Sequence, residues 1–261
     1  PAPPSPPRYT SVTAVRHASA PSKQRGVMVN EGPEVVAIVP ARGGSVGFPG
    51  KNLAPFLGRP LVAVAVAVGL AAAGVDRVLV STDDARIADI ARDAGADVVT
   101  RPAELAGPAS RTADAVVHAV DVRRLPDRTV VVLLQPTSPL RTAADVEECL
   151  ALHGRRPTGS VVQVTESAEH HPWKSCVRVN GGLAPVRDWA DLEAPRQSLP
   201  AVLRPTGGVY VVNAGDLREH RRFFVPEVLG QVVPAVRAVD VDSADDLALA
   251  SSVATDLGWT G

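Results

Sequence analysis

An α/β fold with a mostly parallel sheet is what this sequence predicts, and three observations carry it. Of 261 residues, 45% are hydrophobic and only 3% aromatic, so the core must be built from Val, Ala, Leu and Ile, as in sheets covered on both faces by helices. Short apolar runs, EVVAIVP at 34–40, RVLVST at 77–82 and TVVVLLQ at 129–135, alternate with helix-length stretches, the order of a βαβ fold. A Gly-rich loop follows the first apolar run directly, in the place where parallel sheets bind ligands.

In chain order, residues 1–33 combine Pro, Ser, Ala and basic residues without apolar periodicity, the composition of a disordered extension. Met28 is the only methionine, which is consistent with translation starting there. EVVAIVP reads as a buried strand. Leu61 to Val75 has the length of a helix, although its Val-Ala alternation also suits a strand. RVLVST is the next strand, followed by a helix from Asp84 to Ala94 that Gly95 ends, and by a short strand at Asp97 to Thr100. A helix from Arg111 to Val122 precedes the strand TVVVLLQ. Residues 34–165 thus read as an α/β core. Residues 166–205 turn irregular and Pro-punctuated, with aromatics and His, and read as an inserted subdomain. Strands at Val209 to Val212 and Val236 to Val241 and a helix from Ala244 to Leu257 return residues 206–261 to the core.

Composition also excludes. With 27 basic against 28 acidic residues, the net charge of -1 supplies no long-range field for nucleic acid or an anionic membrane. The stretch from Leu61 to Val75 is too short and Ala-rich for a membrane span. Cys149 and Cys176 stand far apart without metal spacing, which fits a reducing cytoplasm.

The segment PARGGSVGFPGKN, Pro40 to Asn52, carries the chemistry. Gly43, Gly44 and Ser45 can present backbone amides to a phosphate. Arg42 and Lys51 bracket them with a planar fork and a mobile point charge. The loop is neither GxxxxGK[ST] nor GxGxxG, so neither a Walker-type ATPase nor a dinucleotide site is indicated. Downstream, VDVD sets Asp240 and Asp242 two residues apart, on one face of an extended chain. Paired carboxylates suit Mg²⁺, which takes hard oxygen ligands. Gln135 leaves the end of TVVVLLQ, where a polar group can orient a second substrate. Adjacent His170 and His171 point to opposite faces and read as structural.

The loop resembles that of the acylneuraminate cytidylyltransferases, or CMP-sialic acid synthetases, whose form is PARGGSKGxPxKN. The resemblance runs from Val35 to the C-terminal helix through VSTDD (80–84), RPAELA (101–106), LQPTSPLR (134–141), EHHPWK (169–174), PRQSLP (195–200), RPTGGVYV (204–211) and VDVDSADDL (239–247). It implies a three-layer Rossmann-like nucleotidyltransferase fold and a homodimer, in which the inserted subdomain reaches the partner's site. CTP binding is then implied for Ala41, Arg42, Gly43, Gly44, Ser45, Lys51 and Asn52, with Arg101 and Thr112 around the cytosine. Gln135, Lys174, Arg196, Thr206 and Tyr210 are implied at an acidic sugar acceptor, with Phe223 and Phe224 as an apolar wall. Asp240 and Asp242 match the family's metal motif, and Arg42, Lys51 and Asp242 are the expected catalytic groups. The expected reaction is transfer of CMP from CTP to the anomeric hydroxyl of a nonulosonic acid, with release of pyrophosphate. Two residues depart from the pattern: Val46 replaces the lysine of GGSK and Thr206 the asparagine of RPNG. They leave open another anionic acceptor, such as a phosphonate or 3-deoxyoctulosonate, or a non-catalytic nucleotide-binding paralogue.

Overall fold

The computed structural model describes residues 32–45, 47–167 and 171–259. The expected disordered extension falls almost wholly, and Val46, Glu169 and His170 entirely, outside the described residues.

Strand β1 (Val35–Pro40) explains the arrangement of the rest. Its side chains alternate between two faces and all four central residues are fully buried, so each face must be covered. Ala37 and Val39 pack with one cluster, Val36 and Ile38 with the other. After a small hairpin of β2 (Pro55–Phe56) and β3 (Arg59–Pro60), α1 (Leu61–Ala71) lays Val62, Ala65 and Val66 on the first face. β4 (Arg77–Thr82), α2 (Ala85–Asp93), β5 (Asp97–Thr100), α3 (Thr112–Val122) and β6 (Val130–Leu133) follow. α2 and α4 (Ala143–Arg155) join α1, while α3 covers the opposite face. The result is three layers, helix, sheet and helix, as the sequence leads one to expect.

The remaining elements are β7 (Ser160–Glu166), a hairpin of β8 (Cys176–Val179) and β9 (Gly182–Pro185), α5 (Trp189–Glu193), β10 (Leu203–Asn213), α6 (Ala214–His220), β11 (Val228–Val232) and α7 (Ala244–Asp256). The main sheet has seven strands in the order β11-β7-β10-β6-β1-β4-β5. Only β10 runs against its neighbours. β1 lies between β4 and β6, so the chain changes direction across the sheet at β1. The crevice beyond the carboxyl ends at such a point is the natural ligand site.

Several boundaries differ from those the sequence suggests. α1 stops at Ala71 because Ala72 is extended and Gly74 turns left-handed at φ 91°. α4 and β7 carry no sequence assignment above. Val236 to Val241 is not a strand: it begins as a 3-10 turn over Ala235–Arg237 and continues unpaired past the sheet end. Val241 N–H donates to the Thr137 carbonyl at 2.7 Å, Arg204 Nη2 to the Ala238 carbonyl, and Arg237 to Asp145, and these bonds hold it in place of a ladder.

Between β7 and β10 the chain forms short elements of its own. Asn180 and Gly181, both at positive φ, make the two-residue turn of the β8–β9 hairpin, the conformation an Asn-Gly pair favours. His171 is buried, its Nε2 lies 3.1 Å from the Pro200 carbonyl and its Nδ1 accepts from Trp173 N–H. That is a structural role.

Gly69 shows how closely α1 approaches the sheet. A Cβ there would lie 2.9 Å from Val78 Cγ2 and 3.1 Å from Leu134 Cδ1. Gly69→Val should therefore overpack this layer and lower stability by about 1–3 kcal/mol, read as a lower urea midpoint at unchanged m. An unchanged midpoint would contradict this packing.

Candidate active site

A cleft of about 410 Å³ opens beyond the carboxyl ends of β1 and β6, lined by residues from five segments of the chain. The loop after β1 forms one wall. Ala41 N–H donates to the Ser81 carbonyl at 2.9 Å, and Gly43 N–H to Asp83 Oδ1 at 2.9 Å. A Cβ on Gly43 would meet Asp84 Cβ and Oδ2 at 2.9 Å, so only glycine lets the loop sit this close to β4. The Cβ position of Gly44 has nothing within 4 Å. Asn52 Nδ2 donates to the Arg42 carbonyl and Arg42 Nη1 to the Gly107 carbonyl, tying the loop on both flanks. Lys51 Nζ crosses the cleft to Asp242 Oδ1 at 2.9 Å.

Arg101 stands at the floor, only 6% exposed. Its Nε and Nη2 donate to Ser81 Oγ and the Ser81 carbonyl. Burial pulls its pKa down to about 10, with Asp83 opposing and Arg42 adding to the fall. It remains charged at neutral pH. Thr112 opens α3 on the same wall, beside Ser110 and Arg111.

Opposite lie Gln135, Pro136, Thr137, Asp240 and Asp242. Burial raises the Asp240 pKa; a hydrogen bond from Thr137 opposes that, the Asp242 charge adds to it, and Lys51 partly offsets it. A carboxylate whose ionisation is disfavoured by burial and by a neighbouring acid is the setting in which a cation is welcome. Asp246 Oδ2 accepts from the backbone of Asp242 and Ser243, which joins the carboxylate segment to the capped start of α7. Behind the turn, buried Arg141 donates from Nη1 to the carbonyls of Gln135 (2.9 Å) and Gly208 (2.8 Å). Its pKa falls to about 10 through burial, with Asp145 opposing.

The structure thus brings Arg42, Ser45, Lys51, Asn52, Arg101, Thr112, Gln135, Asp240 and Asp242 to one cleft, with Ala41, Gly43 and Gly44 in its loop. Tyr210 does not line it, although burial and the Asp240 charge both raise the phenol pKa. Phe223 belongs to the core and Phe224 is half-exposed, and both pack on Tyr210 at 5.6 and 5.9 Å between centroids. Three expected acceptor residues lie elsewhere. Lys174 Nζ donates to the Leu192 carbonyl within the insertion. Arg196 lines a separate recess of about 140 Å³ with Glu166 and His171. Thr206 is buried, its hydroxyl donating to Gln163 Oε1 at 2.7 Å and accepting from Gly208 N–H. Its proton is thus committed inside the protein, and the residue does not line the cleft.

Sequence reasoning passed over Asp83, Ser110, Arg111, Thr137 and Arg141 as individual site residues, although Asp83, Thr137 and Arg141 fall inside quoted motifs. Among the described residues no group of three His, Cys, Asp or Glu could hold a metal. Any cation would rely on Asp240 and Asp242 with water or ligand oxygens.

Arg141→Met should take its donor from the Gly208 carbonyl and leave the Gln135 carbonyl only the 3.3 Å bond from Ser138 N–H, at about 1–3 kcal/mol for a buried group left unpaired. Thermal unfolding measures it, and an unchanged midpoint would show that the turn does not depend on this arginine.

Comparison with known proteins places this geometry. The family model described as Cytidylyltransferase matches residues 36–169. A CMP-N,N'-diacetyllegionaminic acid synthase of Legionella pneumophila is 29% identical over 222 residues, covering 82% of this chain and 94% of the relative. An N-acylneuraminate cytidylyltransferase of Escherichia coli is 27% identical over 228 residues; these cover 84% of this chain but 52% of the relative, about half of its length. The solved structure of a CMP:2-keto-3-deoxy-manno-octonic acid synthetase complexed with CTP superposes with a TM-score of 0.65 at 20% identity, over 86% of this chain and 99% of that one, a likeness of fold. Because the matched family segment spans just over half of the 261 residues, the chain belongs to the cytidylyltransferase family.

Proposed function

We propose that the chain transfers CMP from CTP to the anomeric hydroxyl of an acylneuraminate or related nonulosonic acid and releases pyrophosphate. The observation that carries this reading is the cleft in which a glycine loop, four cations and a carboxylate pair converge. The names of the two relatives above support the acceptor class.

In this reading the amides of Gly44 and Ser45, with Arg42 and Lys51, hold the triphosphate, while the Gly43 N–H bond to Asp83 and Asn52 keep the loop in place. Arg101 and Thr112 read the cytosine edge, since a guanidinium and a hydroxyl match its acceptors and donor. The acceptor hydroxyl attacks the α-phosphorus in line. An oxygen–phosphorus bond forms, the bond from the α-phosphorus to the bridging oxygen breaks, and pyrophosphate leaves while the hydroxyl proton passes to solvent. Positioning and charge stabilisation supply the catalysis. Asp240 and Asp242 fit a Mg²⁺ ion, which when bound would neutralise phosphate charge. Lys51 would then exchange Asp242 for a phosphate oxygen. Gln135 orients the acceptor, and Tyr210, Phe223 and Phe224 give its N-acyl group an apolar surface.

The insertion completes the reading as a dimer. Val177, Leu183, Val186 and Trp189 expose apolar surface on its hairpin and short helix, a patch suited to a second copy. Approach to the partner's cleft accounts for Lys174 and Arg196 standing away from their own. Both cysteines are free, in keeping with a cytoplasmic enzyme. A second reading, CMP transfer to 3-deoxyoctulosonate or a phosphonate, is motivated by Val46 and Thr206, which stand where the resemblance expects lysine and asparagine.

Pyrophosphate release from CTP and Mg²⁺ should require a nonulosonic acid in an acceptor panel. Turnover with 3-deoxyoctulosonate or a phosphonate alone would select the second reading. Asp242→Asn should lower the rate by about 10²–10³-fold, and an unaltered rate would remove Asp242 from the chemistry. Sedimentation at micromolar concentration should give twice the chain mass; a monomer would contradict the dimer.

A further inference from the structure

Three residues with no role so far, Arg111, Asp114 and Arg221, join two walls of the site. Arg111 caps α3 and lines the cleft between Ser110 and Thr112. Its Nη2 donates to the Arg221 carbonyl at 2.7 Å. Arg221 returns the contact: its Nε and Nη2 donate to Asp114 Oδ1, in the first turn of α3, at 3.0 and 2.8 Å. The two ends are therefore clasped in both directions, backbone and side chain.

Arg221 also sits where its backbone is least at ease. It ends α6 in the left-handed region at φ 48°, a conformation that a non-glycine residue keeps only where its surroundings hold it. The turn it makes sends the chain directly into Phe223 and Phe224, the two rings that pack on Tyr210. One end of the clasp thus touches the cleft wall and the other sets the aromatic cluster.

We propose that Arg111, Asp114 and Arg221 are positioning residues that couple the nucleotide side of the cleft to the aromatic acceptor wall. The proposal rests on the reading of the cleft as a CTP site and of Tyr210, Phe223 and Phe224 as the acceptor wall. CTP held at Ser110 and Thr112 steadies the start of α3; through the Arg221 carbonyl and Asp114 this steadies the segment leading to Phe224. Coupling of this kind is reciprocal: each substrate tightens the binding of the other.

Asp114→Asn and Arg221→Gly test it, since neither residue lines the cleft. Glycine also keeps the left-handed turn at no steric cost. The Arg221–Asp114 pair is partly exposed, and such pairs add little to stability, so both variants will fold. The measurements are CTP affinity by calorimetry and acceptor KM and kcat by pyrophosphate release, with N-acetylneuraminate as acceptor if the wild type uses it and otherwise the acceptor that the panel identifies. The acceptor KM should rise by about 5–20-fold and lose its dependence on CTP concentration. CTP affinity without acceptor and kcat at saturation should hold, and Arg221→Lys should recover part of the effect. An unchanged acceptor KM, or a parallel loss of CTP affinity and melting temperature, would overturn the proposal. If the wild type turns over no acidic acceptor, the functional reading falls and takes the proposal with it; normal wild-type turnover with unchanged variants sinks the coupling alone.

Discussion

The cleft depends on a tight turn, Gln135 to Arg141, where the chain leaves β6. Arg141 folds back beneath it and holds the Gln135 carbonyl, and the same nitrogen holds Gly208 in β10. From that turn Thr137 reaches the carboxylate segment twice, through its carbonyl to Val241 N–H and through its side chain to Asp240. Arg237, just before that segment, grips Asp145 of α4 with two bonds of 2.7 and 3.0 Å. The acidic residues therefore stand over the sheet end without belonging to any strand. A guanidinium buried without a salt-bridge partner is costly, and its two bonds to the Gln135 and Gly208 carbonyls are what offsets the cost.

Against that fixed wall, the Lys51–Asp242 contact is loose. Asp242 is 76% exposed at its side chain, and pairs exposed in this way contribute about 0–1 kcal/mol. Opening it for a triphosphate and a cation costs little, whereas moving Asp240 would mean breaking the bonds that hold its segment. Arg42, Lys51, Arg101 and Arg111 outnumber Asp240 and Asp242 in the cleft. That surplus of positive charge suits an anionic substrate entering with a divalent cation.

Much of the first half was legible because its signals are local. β1, β4 and β6 are apolar runs, α2 has an Asp cap and a terminal Gly, and the glycine loop follows a buried strand. α4 was equally announced by its Thr142–Asp145 capping box, a pattern readable in sequence that went unused. Val236 to Val241 misled because alternation records burial on one side, and Val241 is buried without pairing in a ladder. In the site, the loop and the carboxylates were carried by motif. Thr206 was not legible, since its hydroxyl bonds Gln163, 43 residues away. Nor was Arg141, whose partner Gly208 lies 67 residues on. Both depend on the bulge that Gly207 and Gly208 place in β10 between Pro205 and Tyr210.

The most direct test of the account is a crystal structure with a non-hydrolysable CTP analogue and Mg²⁺. It should show phosphate oxygens on the amides of Gly44 and Ser45, Lys51 Nζ moved from Asp242 to a phosphate, and the turn from Gln135 to Arg141 unmoved. A triphosphate bound away from this loop, or an intact Lys51–Asp242 pair beside a bound nucleotide, would contradict it.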